Sequence, residues 1–447
     1  MASEGYIWRQ LLLGWPIRQA WTFRLAVLLA GLGWLCSQAA GADDLLGATL
    51  TSSDAAAIGH QFERDDTVRV IVRTRGDDDV SRPFDELRSL RAHAGSIRAV
   101  QDRMLGRVLG NPTPSRPRII RHLELSSMVA LTVNAGELAA LANDPDVVRV
   151  YADRLDAPQL QESVPLIGMT GSDGAYVQGA DGTGTAVAIL DTGVDGAHPF
   201  LSGKFLAEAC FSNGGGQGIA LCGDGQNRQE GAGAADAGAS GCQVGSRNIC
   251  GHGTHVAGIA VGSNPFSGLP ASGVARSAML VALQVYTRFN DSSTCGGGAP
   301  CVLSYTSDQI AALEWLLDHH DEWGVSVAAA NLSLGTVLHD SHCDDDPRKP
   351  IIDALRSAGI ATVISSGNNG SAAAVTAPGC IASAITVGAS SKTDLIFPVS
   401  NQAPAMVDVL APGAAILSSV PGGTYRSLSG TSMAAPHVAG AFAAIRS

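Results

Sequence analysis

The chain has 447 residues, of which 45% are hydrophobic and 16% charged, and this composition allows a large buried core and two or three domains. Global disorder is therefore not expected. The formal net charge is -12, and the C-terminal half shows no cluster of Lys and Arg. Because binding phosphates requires clustered basic side chains, we predict no nucleic-acid partner.

Residues 1–42 have the pattern of an export signal. Three arginines precede an apolar run at 25–35, and Ala40-Gly41-Ala42 offers a small-residue cleavage site. The alternative is a retained anchor, but a spanning helix needs roughly 20 apolar residues and this run is shorter. We predict a cleaved signal peptide, a secreted protein (extracellular or periplasmic), and membrane contact only through the export signal.

Between the predicted signal and residue 156, short elements follow in the order β-α-β-β-α-β. Alternating apolar residues predict a strand at 68–73, and a charged pattern predicts a helix at 83–109. Two strands over 119–133, a helix over 136–142 and a strand over 147–151 complete the order. It is typical of a split βαβ, or ferredoxin-like, unit, so we predict a small α+β domain at 43–156.

From about residue 160 onward, strands alternate with helices. We predict strands at 186–190, 279–285, 326–332, 360–365 and 384–388, with helices from 252, after 307 and at 351–358. This alternation predicts a mostly parallel α/β sheet with helices on both faces over residues 157–447. Polar side chains that follow its strands are expected to meet at one edge of the sheet.

Eight cysteines remain if the signal, with Cys36, is removed, and all eight follow Asp191. An even count in an exported protein indicates disulfides. Zinc is the alternative, although no Cys-x2-Cys pair occurs. Cys343 and Cys380 bracket a helix, a strand and a turn, and we expect them to be paired; the other connectivities stay open.

Three polar residues have the surroundings that nucleophilic catalysis needs. Asp191 ends an apolar strand, His252 begins a small-residue helix, and Ser432 lies in a Gly-flanked turn that continues as a helix. A serine hydroxyl is a poor nucleophile unless a histidine accepts its proton and a carboxylate orients that histidine. Each residue alone is as typical of a helix cap or a surface site. As an ordered set they predict a catalytic triad, with His255 and Asp195 as competing candidates.

The chain resembles the subtilisin-like serine proteases, the subtilases, across residues 164–447. The resemblance depends on five motifs: Asp-Thr-Gly at 191, His-Gly-Thr-His at 252, Asn-Leu-Ser-Leu-Gly at 331, Ser-Gly-Asn-Asn-Gly at 366 and Gly-Thr-Ser-Met-Ala at 430. It implies a doubly wound, mostly parallel sheet and a secreted endopeptidase. Protein or peptide substrates would form an acyl-enzyme, with no cofactor required for the chemistry. A catalytically inactive scaffold is the alternative, whereas an esterase is disfavoured because no Gly-x-Ser-x-Gly surrounds Ser432.

The resemblance also implies roles around the triad. Asn368 would donate to the oxyanion, although the surrounding glycines equally suit a left-handed turn. Ser333, Leu334 and Gly335 would pair with extended substrate, and Gly335 and Gly367 would wall the first specificity pocket.

The stretch at 138–153 resembles the end of a subtilase propeptide. Such a propeptide would act as intramolecular inhibitor and folding chaperone and would be cut off by the enzyme itself near 156–163. A permanently attached accessory domain is the alternative.

Two features depart from the family pattern. Phe200 occupies the position of an aspartate that binds calcium in many subtilisins, which leaves structural calcium unsupported there, although Asp344, Asp345 and Asp346 offer a different site. Only fifteen residues follow Ser432, so we expect an incomplete C-terminus. The helix from about residue 434 is expected to turn four apolar residues inward: Val438, Ala441, Phe442 and Ile445.

Overall fold

The computed structural model describes residues 49–75, 87–110, 119–123, 127–153, 155–158, 167–169, 174–212, 217–264 and 272–447. The predicted signal peptide at 1–42 lies outside these residues. The described chain contains two large sheets of different kind, one antiparallel and one mostly parallel.

The N-terminal unit contains a four-stranded antiparallel sheet in the order β2-β3-β1-β4. Its elements are α1 (Ser52–Phe62), β1 (Val68–Thr74), α2 (Leu87–Leu109), β2 (Ile119–Leu123), β3 (Met128–Val133), α3 (Ala135–Ala142) and β4 (Val147–Ala152). The predicted β-α-β-β-α-β order is confirmed, and α1 precedes it. Asn134 and Glu137 explain where α3 begins, because they form a reciprocal capping box.

The C-terminal region contains nineteen strands, four α-helices and two short 3₁₀ helices, Pro199–Leu201 and Ser240–Cys242, among the described residues. The first strands are β5 (Leu155–Pro158), β6 (Thr185–Asp191), β7 (Phe205–Phe211), β8 (Ile219–Ala220), β9 (Arg228–Glu230), β10 (Gln243–Val244), β11 (Arg247–Asn248), β12 (Met279–Gln284), β13 (Thr287–Phe289) and β14 (Cys301–Tyr305). The remaining strands are β15 (Ser326–Leu332), β16 (Leu334–Gly335), β17 (Leu338–His339), β18 (Ala361–Ser365), β19 (Val375–Thr376), β20 (Ile385–Ser390), β21 (Val409–Pro412), β22 (Ile416–Val420) and β23 (Thr424–Leu428). The helices are α4 (Gly251–Val261), α5 (Thr306–His319), α6 (Lys349–Ser357) and α7 (Thr431–Ile445).

The main sheet has eight strands in the order β21-β20-β18-β15-β6-β12-β7-β9. Every neighbouring pair is parallel except β7 with β9. The central strand β6 is buried along its whole length, as expected when helices cover both faces of a parallel sheet. Its alternate residues enter two separate cores, one with α5 and α6 and the other with α4 and α7. The predicted mostly parallel α/β architecture is confirmed.

The buried face of α7 differs from the prediction. Ile445 is 80% exposed, so its predicted inward position was wrong, and Val438 and Phe442 are only partly buried. The small residues, such as Ala439, face the core instead. The helix packs so closely on α4 that a Cβ on Gly440 would lie 2.9 Å from Ala260 O. Because the two helices approach closely, small side chains of α7 face the core in place of the larger apolar side chains that the periodicity favoured.

Candidate active site

Asp191 ends β6 with its carboxylate buried. Its Oδ1 accepts a hydrogen bond from Thr192 N–H at 2.7 Å. The Nδ1 atom of His252 lies 2.7 Å from Oδ1 and 2.8 Å from Oδ2. Because Nδ1 donates to this carboxylate, the neutral ring carries its lone pair on Nε2, the nitrogen that a general base needs.

Thr192 fixes the start of α4 against the end of β6. Its Oγ1 donates to Cys250 O at 2.8 Å and accepts from Gly253 N–H at 3.0 Å. Gly253 has no room for a side chain, because a Cβ there would lie 3.0 Å from Asp191 Cβ and closer still to a backbone oxygen. These contacts determine where His252 meets Asp191.

Ser432 is the second residue of α7 and is fully buried. Pro436, four residues later, has no N–H to complete the helical hydrogen bond to Ser432 C=O. That carbonyl accepts from Ser333 Oγ at 2.7 Å, while Ser432 Oγ donates to Ser333 O at 3.3 Å. Sequence reasoning missed this reciprocal contact, although the proline four residues after the serine is a signal for it.

Strand register brings the predicted catalytic residues to one edge of the sheet. β6 and β15 are adjacent and parallel, and the residues that precede Asp191 and Ser333 lie opposite each other. Asp191 and Ser333 therefore emerge at the same level of the carboxyl edge. Asp191 contacts His252 and Ser333 contacts Ser432, and the helices that carry His252 and Ser432 pack against each other.

Asn368 lies beside the start of α7. Its Oδ1 accepts from Thr431 N–H at 2.9 Å and from Thr431 Oγ1 at 3.1 Å, and Thr431 Oγ1 also accepts from Gly367 N–H at 3.2 Å. The Nδ2 group has no hydrogen-bond partner within the described part of the chain, so its donors are available to an acceptor next to Ser432. Gly367 has a φ of +100°, which a residue with a side chain rarely adopts.

The predicted substrate strand is the edge of a five-stranded sheet in the order β16-β5-β14-β13-β8. Leu334 and Gly335 form β16, and Ser333 precedes it. The strand next to β16 is β5, which comes from the segment that joins the N-terminal unit to the C-terminal region. It runs antiparallel to both neighbours, with Ala157 opposite Gly335 and Asp156 opposite Ser304.

Ion pairs join the N-terminal unit to the first turn of α5. Asp153 accepts from Arg69 Nη2 at 2.8 Å and from Ser307 Oγ at 2.8 Å, and also from Ser307 N–H at 3.1 Å. Arg121 Nη2 donates to Asp308 Oδ1 at 2.9 Å. Sequence reasoning did not identify this interface, because its partners are up to 238 residues apart.

The two competing candidates lie near the site but have other partners. His255 is fully buried, and its Nε2 donates to the carbonyls of Ile416 and Arg426 at 3.1 and 3.0 Å. Burial lowers the pKa of His255 to about 3, against the effect of these carbonyls. Asp195 accepts from backbone N–H groups, among them Gly422 N–H at 2.9 Å.

The residues named for calcium offer no common site. Phe200 is buried, and its ring lies 5.7 Å from that of Tyr425 in an edge-on contact. Asp344 accepts from Ala382 N–H at 2.9 Å, whereas Asp345 and Asp346 bind arginines. The one group of potential metal ligands among the described residues is His339 with Cys343 and Cys380.

Four disulfides join the eight cysteines of the C-terminal region: Cys210–Cys222, Cys242–Cys250, Cys295–Cys301 and Cys343–Cys380. The predicted pairing of Cys343 with Cys380 is confirmed. A sulfur in a disulfide is not a thiolate ligand, so the group with His339 is not a metal site. Cys250 immediately precedes α4, so the second disulfide also holds the start of the helix that carries His252.

None of the helices that the structure describes is long and apolar enough to cross a membrane.

Known proteins resemble this chain over about two thirds to three quarters of its length. Subtilisin E of Bacillus subtilis (strain 168) is 30% identical over 334 residues, which cover 74% of this chain and 73% of that protein. Alkaline serine exoprotease A of Vibrio alginolyticus is 32% identical over 291 residues, 64% of this chain and 41% of that protein. The crystal structure of a cold adapted subtilisin-like serine proteinase is 29% identical, covers 58% of this chain and 74% of that chain, and has a TM-score of 0.40. Residues 182–447 match the subtilase family, and since they form more than half of the chain, it belongs to this family of subtilisin-like serine peptidases.

Proposed function

We propose that this subtilase is a secreted endopeptidase that hydrolyses proteins through Asp191, His252 and Ser432. The contact between His252 Nδ1 and both oxygens of Asp191, at 2.7 and 2.8 Å, carries the proposal. A buried carboxylate in this position orients the ring and stabilises the imidazolium that forms during catalysis.

In the proposed reaction, Ser432 Oγ attacks the scissile carbonyl carbon while His252 Nε2 takes the hydroxyl proton. The imidazolium then gives this proton to the leaving amine as the C–N bond breaks, which leaves an acyl-enzyme ester on Ser432. Water attacks the ester, again with His252 as base, and releases the acid product and the free serine.

Asn368 is the proposed side-chain donor to the oxyanion. Its Oδ1 is held by Thr431, the residue before the nucleophile, which leaves the Nδ2 donors for a negative oxygen formed at Ser432. A donor fixed in advance stabilises the charge without reorganising during the reaction. The same hydrogen bonds also order the turn at Gly367, so the catalytic and structural roles are compatible.

Residues 43–156 are proposed to be a propeptide that the enzyme removes. The backbone of β5 runs as an extended strand beside Gly335, as a peptide substrate would. We propose that the propeptide helps the enzyme fold, inhibits it by occupying this groove, and is cut near 156–163. The same precursor would be exported by the signal at 1–42.

The proposed chemistry needs no cofactor. The site that the family resemblance implies for calcium does not fit a cation here, because the side chain at its aspartate position, Phe200, is apolar and buried. No step of the reaction is assigned to a metal.

Labelling with a serine-directed phosphonate separates an enzyme from an inactive scaffold. We expect one phosphonate per chain, on the peptide that contains Ser432, together with loss of casein hydrolysis. The His252→Gln variant is the matched control and is expected to label far more slowly, because its serine has no base. An unlabelled Ser432 in the folded, propeptide-free protein would favour the scaffold.

A further inference from the structure

Thr376 lies between the two glycines proposed to wall the first specificity pocket. A Cβ placed on Gly335 would lie closer than 3.0 Å to both Oγ1 and Cβ of Thr376. A Cβ placed on Gly367 would lie 2.6 Å from Thr376 Oγ1 and 2.7 Å from its Cγ2. Asn401 Nδ2 lies 2.5 Å from the same Cβ position on Gly367, so Thr376 is the one side chain that borders both glycines and shares the space beside Gly367 with Asn401.

Several contacts hold Thr376 in this position. Its N–H donates to Ser366 O at 2.9 Å, and its Oγ1 donates to the same oxygen at 3.3 Å. Its backbone pairs with Leu338 in the β17–β19 ladder, and its carbonyl accepts from Gly379 N–H at 2.9 Å. Thr376 is also only 2% exposed. Because both its backbone and its hydroxyl are bound, the side chain cannot swing aside to admit a larger group without losing hydrogen bonds.

We infer that Thr376 limits the depth of this pocket and restricts the enzyme to substrates with a small residue, such as alanine or serine, immediately before the scissile bond. An aromatic ring would need the volume that the Thr376 methyl and hydroxyl occupy. A protein interior is packed too densely to supply that volume unless β19, the strand that carries Thr376, moves. The inference rests on the proposed function, since it takes Gly335 and Gly367 as walls of the substrate pocket.

The test compares tetrapeptide p-nitroanilides that differ only in the last residue, alanine or phenylalanine. The wild-type enzyme is expected to have the higher kcat/KM on the alanine substrate. Thr376→Gly removes the obstruction, and the ratio of the phenylalanine to the alanine kcat/KM is expected to rise at least about tenfold. Thr376→Val keeps the volume but removes the hydroxyl, so it is expected to preserve the wild-type preference.

The outcomes distinguish this inference from the proposed function. A wild-type enzyme that prefers phenylalanine, or a folded Thr376→Gly variant with the wild-type ratio, would overturn the role of Thr376 while leaving the peptidase proposal intact. An enzyme that cleaves neither substrate and leaves Ser432 unlabelled by the phosphonate would overturn both. The wild-type ratio alone tests the inference if Thr376→Gly does not fold.

Discussion

The N-terminal unit and the C-terminal region differ in their covalent cross-links. The C-terminal region has a buried parallel sheet and four disulfides, whereas the chain contains no cysteine between 37 and 209. The N-terminal unit meets its neighbour without a disulfide, through ion pairs such as Arg121 with Asp308 and through a buried apolar cluster that Leu123 and Met128 share with the C-terminal core. The difference lies in the covalent links, because no disulfide joins the N-terminal unit to the C-terminal region and cleavage of the connecting chain would leave only non-covalent contacts.

The largest predicted effect concerns proteolysis itself, including the cleavage that would separate the N-terminal unit from the C-terminal region. Ser432→Ala removes the proposed nucleophile, so we expect proteolysis to fall on the order of 10⁶-fold, as reported when subtilisin loses its serine. The precursor expressed alone should also keep its N-terminal unit, which gel electrophoresis and mass spectrometry would detect. Normal processing of this variant would show that another protease performs the cut.

The next prediction concerns the ion pair between Arg121 and Asp308, whose side chains are 12% and 0% exposed. Arg121→Gln removes the cation that is hydrogen-bonded to the buried Asp308 carboxylate and leaves the charge of Arg69 nearby, and breaking a buried ion pair costs up to about 3–5 kcal/mol. The cleaved N-terminal fragment should then inhibit up to about two to four orders of magnitude more weakly, as measured by its inhibition constant. Arg107→Gln is the control, because Arg107 pairs with carboxylates inside the unit. Equal inhibition constants for both variants would mean that this ion pair does not hold the unit.

A third prediction concerns the disulfides of the C-terminal region. Removing Cys343–Cys380, with a sequence separation of 37, should lower the free energy of unfolding by about 4 kcal/mol, because the unfolded chain gains loop entropy. Cys295–Cys301, with a separation of 6, should contribute about 2 kcal/mol by the same relation. Thermal unfolding of double serine variants, made in the Ser432→Ala background to prevent autolysis, measures both. The opposite ranking would contradict the entropic account.

The smallest predicted effect is a dependence on pH. His255 has a pKa of about 3 in the folded protein, below the value of about 6.5 in an unfolded chain. Its stabilising contribution is complete above about pH 6.5 and is lost as the pH falls, by about 1.4 kcal/mol per pH unit, because the unfolded state alone takes up a proton. Urea unfolding at about pH 7 and pH 5 should therefore show a flatter dependence for His255→Asn than for wild type.

The exposed His60 in α1 provides the control, and His60→Asn should keep the wild-type slope. An unchanged slope in His255→Asn would mean that His255 can be protonated where it lies.

Much of the fold follows from local patterns. Apolar runs such as 186–190 mark parallel strands because both faces of those strands are buried, and the structure has strands at these positions. The spacing of apolar residues predicted the wrong buried face for α7, because Ile445 fits the helical period but is exposed. The close packing of α7 on α4 determines which residues of α7 are buried. Since these two helices are far apart in sequence, a local pattern does not reveal this contact.

The sequence by itself identified the family and predicted Asp191, His252, Ser432 and Asn368 as site residues, because each lies in a short motif whose residue types the chemistry requires. Tertiary structure decided how His252 reaches the carboxylate of Asp191, since strand register and the Thr192 hydrogen bonds set that distance. It also decided that Thr376, which belongs to none of these motifs, lies between Gly335 and Gly367. The width of a pocket depends on side chains brought together from separate strands, and a linear pattern does not encode their separation.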